Sequence, residues 1–154
     1  MPVINTRSGT ETKALGAALS RQLIAGDVVL LQGNLGAGKS ELARGIARGL
    51  GVAGHVPSPS FTILQVYEDG RLPLYHFDWY RISGAEELYE LSLDEYLYAG
   101  GVSVIEWPSM ARDALPETYL LINISITGEC DRQFSFEPVG GFHALDYKKL
   151  EVGA

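Results

Sequence analysis

Residues Gly33 to Ser40 read G-N-L-G-A-G-K-S, a full match to the phosphate-loop pattern G-x-x-x-x-G-K-[ST]. Each position has a physical task. Gly33, Gly36 and Gly38 let the backbone approach a polyphosphate without a Cβ in the way. Successive N–H groups can then converge on anionic oxygens. Lys39 has the reach for β- and γ-phosphates, and the Ser40 hydroxyl is the ligand type that Mg²⁺ takes in such loops. The loop, with Asn34, Leu35 and Ala37 between these residues and Glu41 just after, is the expected nucleotide-binding segment. A phosphate loop also needs an acid at the end of a neighbouring strand to hold Mg²⁺ or its water. Asp78 follows the strand-like run Leu74-Tyr-His-Phe77, and Glu106 follows Val102-Ser-Val-Ile105. In an open α/β sheet the carboxyl ends of the strands line the ligand crevice, where both acids fall. The chemistry is then in-line attack of water on a γ-phosphate. Lys39 and Mg²⁺ stabilise charge, and Asp78 or Glu106 orients the water, the residues leaving open which acid does which.

The elements that must position these groups are legible from periodicity. The apolar run Val28-Val-Leu-Leu31 reads as a buried strand feeding the loop. Leu42, Ala43, Ile46, Ala47 and Leu50 recur at helical spacing over Lys39 to Leu50, which puts bound phosphate at the positive end of a helix. An amphipathic helix is expected over Thr10–Leu23, capped near Ser8 or Thr10. Val56-Pro-Ser-Pro-Ser60 must be a loop, since two prolines remove donors and bias their predecessors to extended geometry. Phe61–Tyr67 and Leu72–Phe77 read as a hairpin about Glu68-Asp-Gly-Arg71. A helix is expected over Gly84–Tyr98 with Leu88, Tyr89 and Leu91 inward, then a strand over Val102–Trp107 that Pro108 ends. Leu120–Thr127 and Gln133–Phe136 read as a second hairpin, and Phe142–Leu150 as a short helix or tail. The fold class is α/β: one P-loop domain over residues 1–154, a mixed parallel and antiparallel sheet flanked by helices.

Composition narrows the function classes. A hydrophobic fraction of 46% and a charged fraction of 20% are those of a globular chain with a real core. The N-terminal residues lack a basic region followed by an apolar stretch, and no apolar run reaches bilayer length, so a cytoplasmic protein is expected. The single cysteine, Cys130, has no disulfide partner, and His55, His76 and His143 lack ligand spacing. Net charge is −7, which argues against a protein that grips nucleic acid alone. Any nucleic-acid role would run through partners. The acidic run Glu86-Glu87…Glu90…Asp94-Glu95 reads first as the solvated face of a helix.

Five segments in order resemble one family. They are Gly33–Ser40, Ser58-Pro-Ser-Phe-Thr62, Leu74-Tyr-His-Phe-Asp-Trp-Tyr-Arg81, the Glu86-Glu87-Leu88 helix with Leu93-Asp-Glu-Tyr96, and Ile105-Glu-Trp-Pro108. Together they look like the TsaE (formerly YjeE) family, over about residues 8 to 135. The resemblance implies a bacterial ATPase using ATP and Mg²⁺. It would work with TsaB and TsaD in forming threonylcarbamoyladenosine beside the tRNA anticodon and meet tRNA only through that complex. On matching positions it implies that Lys39 and Ser40 bind phosphate and Mg²⁺, that Glu106 is the Mg²⁺-associated glutamate, and that Asp78 lies near the hydrolytic water. It further implies nucleotide-site roles for Thr62 in a switch-like loop, Trp107 beside the nucleotide, Thr12 near the base and Arg132 in the late hairpin. The chain departs from the family pattern at Asn34 (usually Asp), Glu41 (usually a second hydroxyl), Ser60, Phe61 and Trp79. Glu41 would bring negative charge near the α-phosphate unless its side chain turns away.

Two other functions fit the same loop. A small metabolite kinase would use Asp78 to activate an acceptor hydroxyl, although Arg112 and Arg132 are isolated and no arginine-rich lid is visible. A nucleotide-gated binding module with little turnover would let ATP set a conformation that a partner reads.

Overall fold

The computed structural model describes residues 1–54, 56–57 and 62–152. Seven strands form one sheet in the order β1-β7-β6-β2-β5-β4-β3. They are β1 (Val3–Thr6), β2 (Val28–Gly33), β3 (Leu64–Tyr67), β4 (Leu74–Asp78), β5 (Val102–Glu106), β6 (Tyr119–Ile126) and β7 (Arg132–Val139). The central four, β6-β2-β5-β4, are parallel, while β7 and β1 on one side and β3 on the other join antiparallel. The expected mixed sheet is therefore present. Its centre is β2, whose first four residues are all buried, because helices or 3-10 turns cover both faces there. That double cover is why the sequence shows an unbroken apolar run instead of alternation.

Two helices, α1 (Gly9–Ser20) and α2 (Lys39–Leu50), pack together on one face. Leu15, Leu19, Leu42, Ile46 and Leu50 form a core there with Val29, Leu31, Val104, Ile122, Phe134 and Phe136. Gly16 and Gly45 allow the helices to touch: a Cβ on Gly16 would strike the Leu42 carbonyl, and one on Gly45 the Lys13 carbonyl. Ser8 caps α1 by accepting from the Glu11 N–H at 3.1 Å, and Glu11 in turn accepts from the Arg7 N–H. The opposite face carries α3 (Ala85–Glu90) and 3-10 segments at Leu93–Tyr98 and Pro108–Ala114. Leu88, Leu97, Ala111 and Ala114 pack there against Val28, Leu30, Phe77 and Ile105.

Three features differ from the sequence expectation. Strand β1 carries only two buried side chains, Ile4 and Thr6, and exists by pairing with β7, a long-range event that four residues do not announce. The helix expected over Gly84–Tyr98 is broken at Ser92, which takes a left-handed φ of 57°. Helical periodicity stops there, so Leu88 is buried as expected, but Tyr89 and Leu91 are exposed. Strand β3 begins at Leu64, after Ile63 at φ 66°. Of the short helix or tail expected over Phe142–Leu150 the structure shows a 3-10 turn at Tyr147–Leu150, and two hydrogen bonds between Gln22 and Asp146 tie this segment to the residues after α1.

Candidate nucleotide site

Side chains on a strand alternate between faces, so residues two apart share one. His76 and Asp78 on β4 share the α2 side of the sheet with Val104 and Glu106 on β5; Asp78 and Glu106 are register partners at the carboxyl ends of adjacent strands. The turn after β2 delivers Lys39 and Ser40 to the same place. A cleft of about 540 Å³ results, a volume in the range of ordinary ligand sites. It is lined by Leu35 through Glu41 together with Asp78, Tyr80, Arg81, Glu106 and Trp107.

The loop has the shape of an anion cradle. Gly36 and Gly38 lie at φ 82° and 104°, and an added Cβ at either would meet nothing within 4 Å. Their left-handed geometry therefore answers to the course of the backbone and leaves its concave side open. Gly38 is the N-cap of α2 and supplies no side-chain cap, so the first N–H groups of that helix are available to an anion. Lys39 is buried and donates to the carbonyls of Gly33 at 2.6 Å and Asn34 at 3.0 Å. Its ammonium also sits 4.1 Å from the centroid of the Trp107 ring. Burial pushes its pKa below the usual lysine value, and the carboxylates of Glu106 and then Asp78 oppose that shift.

The acids are held differently. The Ser40 hydroxyl is 3.4 Å from both carboxylate oxygens of Glu106, and His76 Nε2 is 2.6 Å from Glu106 Oε2. Asp78 Oδ1 accepts from the Tyr80 N–H at 2.9 Å, a turn that aims the carboxylate along the chain past the strand end. Trp107, directly after Glu106, takes φ 59°, uncommon for so bulky a residue. This places its half-buried ring against Lys39 and, at 5.0 Å between centroids, against Tyr80. The Ser40 hydroxyl and the buried carboxylates of Asp78 and Glu106 form a set of hard oxygens suited to Mg²⁺, with the Lys39 ammonium beside them for phosphate.

Some expected residues lie elsewhere. Thr12, in the first turn of α1, is buried with its hydroxyl 2.8 Å from that of Thr6, so it faces the interior and does not line the cleft. Arg132 grips the loop's backbone: Nε donates to the Ala37 carbonyl at 3.1 Å and Nη2 to Gly36 at 3.2 Å, while Nη1 holds the carbonyls of Gly128, Glu129 and Asp131. Glu41 borders the cleft with its carboxylate taken up by Arg44 at 2.6 Å and Lys13 at 3.3 Å, which offsets the charge conflict seen in the sequence. Of the switch-like loop, residues 58–61 lie outside the described residues; Thr62 accepts from Gln65 Nε2 at 3.0 Å. Tyr80, Arg81, His76, Lys13 and Arg44 join the site without having been singled out for it. For Tyr80 and Arg81 the available signal was their position just past Asp78; for the others no local signal exists.

Fold and cleft together define a P-loop protein, with the loop on the central strand β2, Glu106 on the adjacent β5 and Asp78 on β4 beyond it. Residues 6–134 match the family model described as "Threonylcarbamoyl adenosine biosynthesis protein TsaE". The chain belongs to this TsaE family. It is 43% identical over 140 residues to the tRNA threonylcarbamoyladenosine biosynthesis protein TsaE of Bacillus subtilis (strain 168), covering 91% of this chain and 87% of that one. The protein of the same name from Treponema pallidum (strain Nichols) is 39% identical over 130 residues, 84% of this chain and 96% of its own. A crystal structure of Bacillus subtilis YdiB superposes with a TM-score of 0.79 at 38% identity, over 91% of this chain and 86% of the other.

Proposed function

We propose that this chain is the ATP-binding and ATP-hydrolysing component of a system with TsaB and TsaD that forms threonylcarbamoyladenosine next to the tRNA anticodon. The observation that carries the reading is the convergence of Lys39, Ser40, Asp78 and Glu106 on one cleft behind an open phosphate loop in a TsaE-family chain. Loop N–H groups and Lys39 bind the β- and γ-phosphates, Lys39 exchanging its loop carbonyls for phosphate oxygens. Ser40 and Glu106 hold Mg²⁺, consistent with their shared approach at 3.4 Å. When bound, Mg²⁺ neutralises charge on the transferring phosphoryl group. Asp78, held by the Tyr80 N–H at the end of β4, orients the attacking water. Trp107 walls the cleft beside Lys39, and Arg132 keeps the loop in its cradle shape. With net charge −7, contact with tRNA falls to the partners, in keeping with a cytoplasmic tRNA-modifying assembly.

The test is ATP hydrolysis by the purified chain, alone and then with purified TsaB and TsaD, with Lys39→Ala as control. A slow Lys39-dependent rate that the pair raises is the expected result. A rate indifferent to the pair, or to Lys39, would refute the assignment.

A further inference from the structure

We infer that His76 is a positioning residue for Mg²⁺, acting through Glu106. The inference rests on reading the cleft as an Mg²⁺–nucleotide site. His76 does not line that cleft; it sits behind Glu106, in the interior layer between β4 and α2. Its side chain is 1% exposed and that of Glu106 4%. The Nε2–Oε2 separation of 2.6 Å is that of a short, charge-assisted hydrogen bond, with Nε2–H donating to the carboxylate.

A glutamate at the mouth of a cleft has three rotatable bonds, and Lys39 lies near enough to pull its carboxylate aside. His76 removes that freedom by holding Oε2. Ser40 then faces a carboxylate of fixed orientation, with Oε1 left over by His76 for the metal side. Metal-ligating groups are commonly held this way by a second hydrogen-bonding partner, and losing that partner typically weakens metal binding.

The imidazole is not explained by packing. Among the described residues, Nδ1 finds no hydrogen-bond partner although it is buried. An unsatisfied buried nitrogen is costly, and an apolar side chain at this interior strand position would avoid it. What the imidazole provides in exchange is the bond to Glu106. Its neighbours on the same strand face are the apolar Leu74 and Asp78, a carboxylate like Glu106 itself, so His76 is the nitrogen donor that β4 brings to Glu106.

The experiment compares wild type with His76→Phe, His76→Asn and His76→Gln. A fluorescent ATP analogue is titrated at fixed and at zero Mg²⁺, and Mn²⁺ binding to each analogue complex is followed by electron paramagnetic resonance. Phe removes the donor, Asn is too short to deliver one, and Gln can place its amide near the Nε2 position. The expected result is about a tenfold or greater rise in the half-saturating Mg²⁺ for Phe and Asn. Nucleotide binding without Mg²⁺ should stay within about twofold of wild type, and Gln should recover most of the loss. Should His76→Phe not fold, His76→Asn decides in its place. The inference is overturned if Phe or Asn keeps wild-type Mg²⁺ and Mn²⁺ affinity, or if Gln loses as much as they do, which is what a purely structural role gives. A wild-type chain whose nucleotide binding ignores Mg²⁺ overturns the parent reading as well; a Mg²⁺-dependent wild type with unresponsive variants overturns this inference alone.

Discussion

Arg132 offers the sharpest test of how the loop is held. Its guanidinium makes one part-buried bond to the Ala37 carbonyl at 3.1 Å and one exposed bond to Gly36 at 3.2 Å. Hydrogen bonds to a charged group contribute about 1.5–3 kcal/mol each when buried. Exposure and the long distances reduce this to about 1–2 kcal/mol for the pair. Arg132→Ala leaves the ladder from Tyr119↔Val139 onward in place, so the chain should fold and the deficit should fall on the loop. At about 1.4 kcal/mol per factor of ten, the expected loss in ATP affinity is roughly 5- to 30-fold. Equilibrium titration with a fluorescent ATP analogue and Mg²⁺ measures it, with thermal melts confirming the fold. Arg132→Lys keeps the charge but loses the planar fork that serves Gly36, Ala37 and the turn carbonyls together. It should resemble alanine more than wild type. Wild-type affinity in Arg132→Ala, or full recovery in Arg132→Lys, would show that loop geometry is not what Arg132 contributes.

Three further outcomes are expected. Lys39→Met should abolish nucleotide binding, and its apo stability relative to wild type should decline as pH rises towards 10.5. The sign follows from the lowered pKa of Lys39: between its folded value and 10.5 the unfolded chain binds more protons, so the wild type gains stability across that window, as urea denaturation at neutral and alkaline pH can check. Asp78→Asn should lower turnover about 10²- to 10⁴-fold while nucleotide affinity changes little, in single-turnover and binding assays run side by side. Lys13→Met leaves Glu41 with Arg44 alone; because these side chains are about one-third exposed, the loss of ATP affinity should be no more than about fivefold and should shrink in high salt.

The sequence by itself determined what could be stated in terms of neighbours along the chain. Gly33 to Ser40 dictated a phosphate loop, because glycine spacing, lysine and hydroxyl are all local requirements. The buried strand Val28–Leu31 and the helix Lys39–Leu50 were legible for the same reason, the strand as an unbroken apolar run and the helix as apolar residues recurring about every 3.6 residues. Asp78 and Glu106 were readable as strand-end acids, though not as register partners, since pairing β4 with β5 joins residues 28 apart in the chain. Tertiary structure alone decided the rest. Thr12 turned inward because Thr6, on a strand that exists only through β7, takes its hydroxyl. Arg132 reached Gly36 and Ala37 because β6 lies beside β2 and brings the β6–β7 turn to the loop. His76 met Glu106, and Lys13 and Arg44 met Glu41, through strand pairing and the glycine-mediated contact of α1 with α2. Local spacing specifies which groups can do chemistry; their partners come from long-range packing, which no single segment encodes.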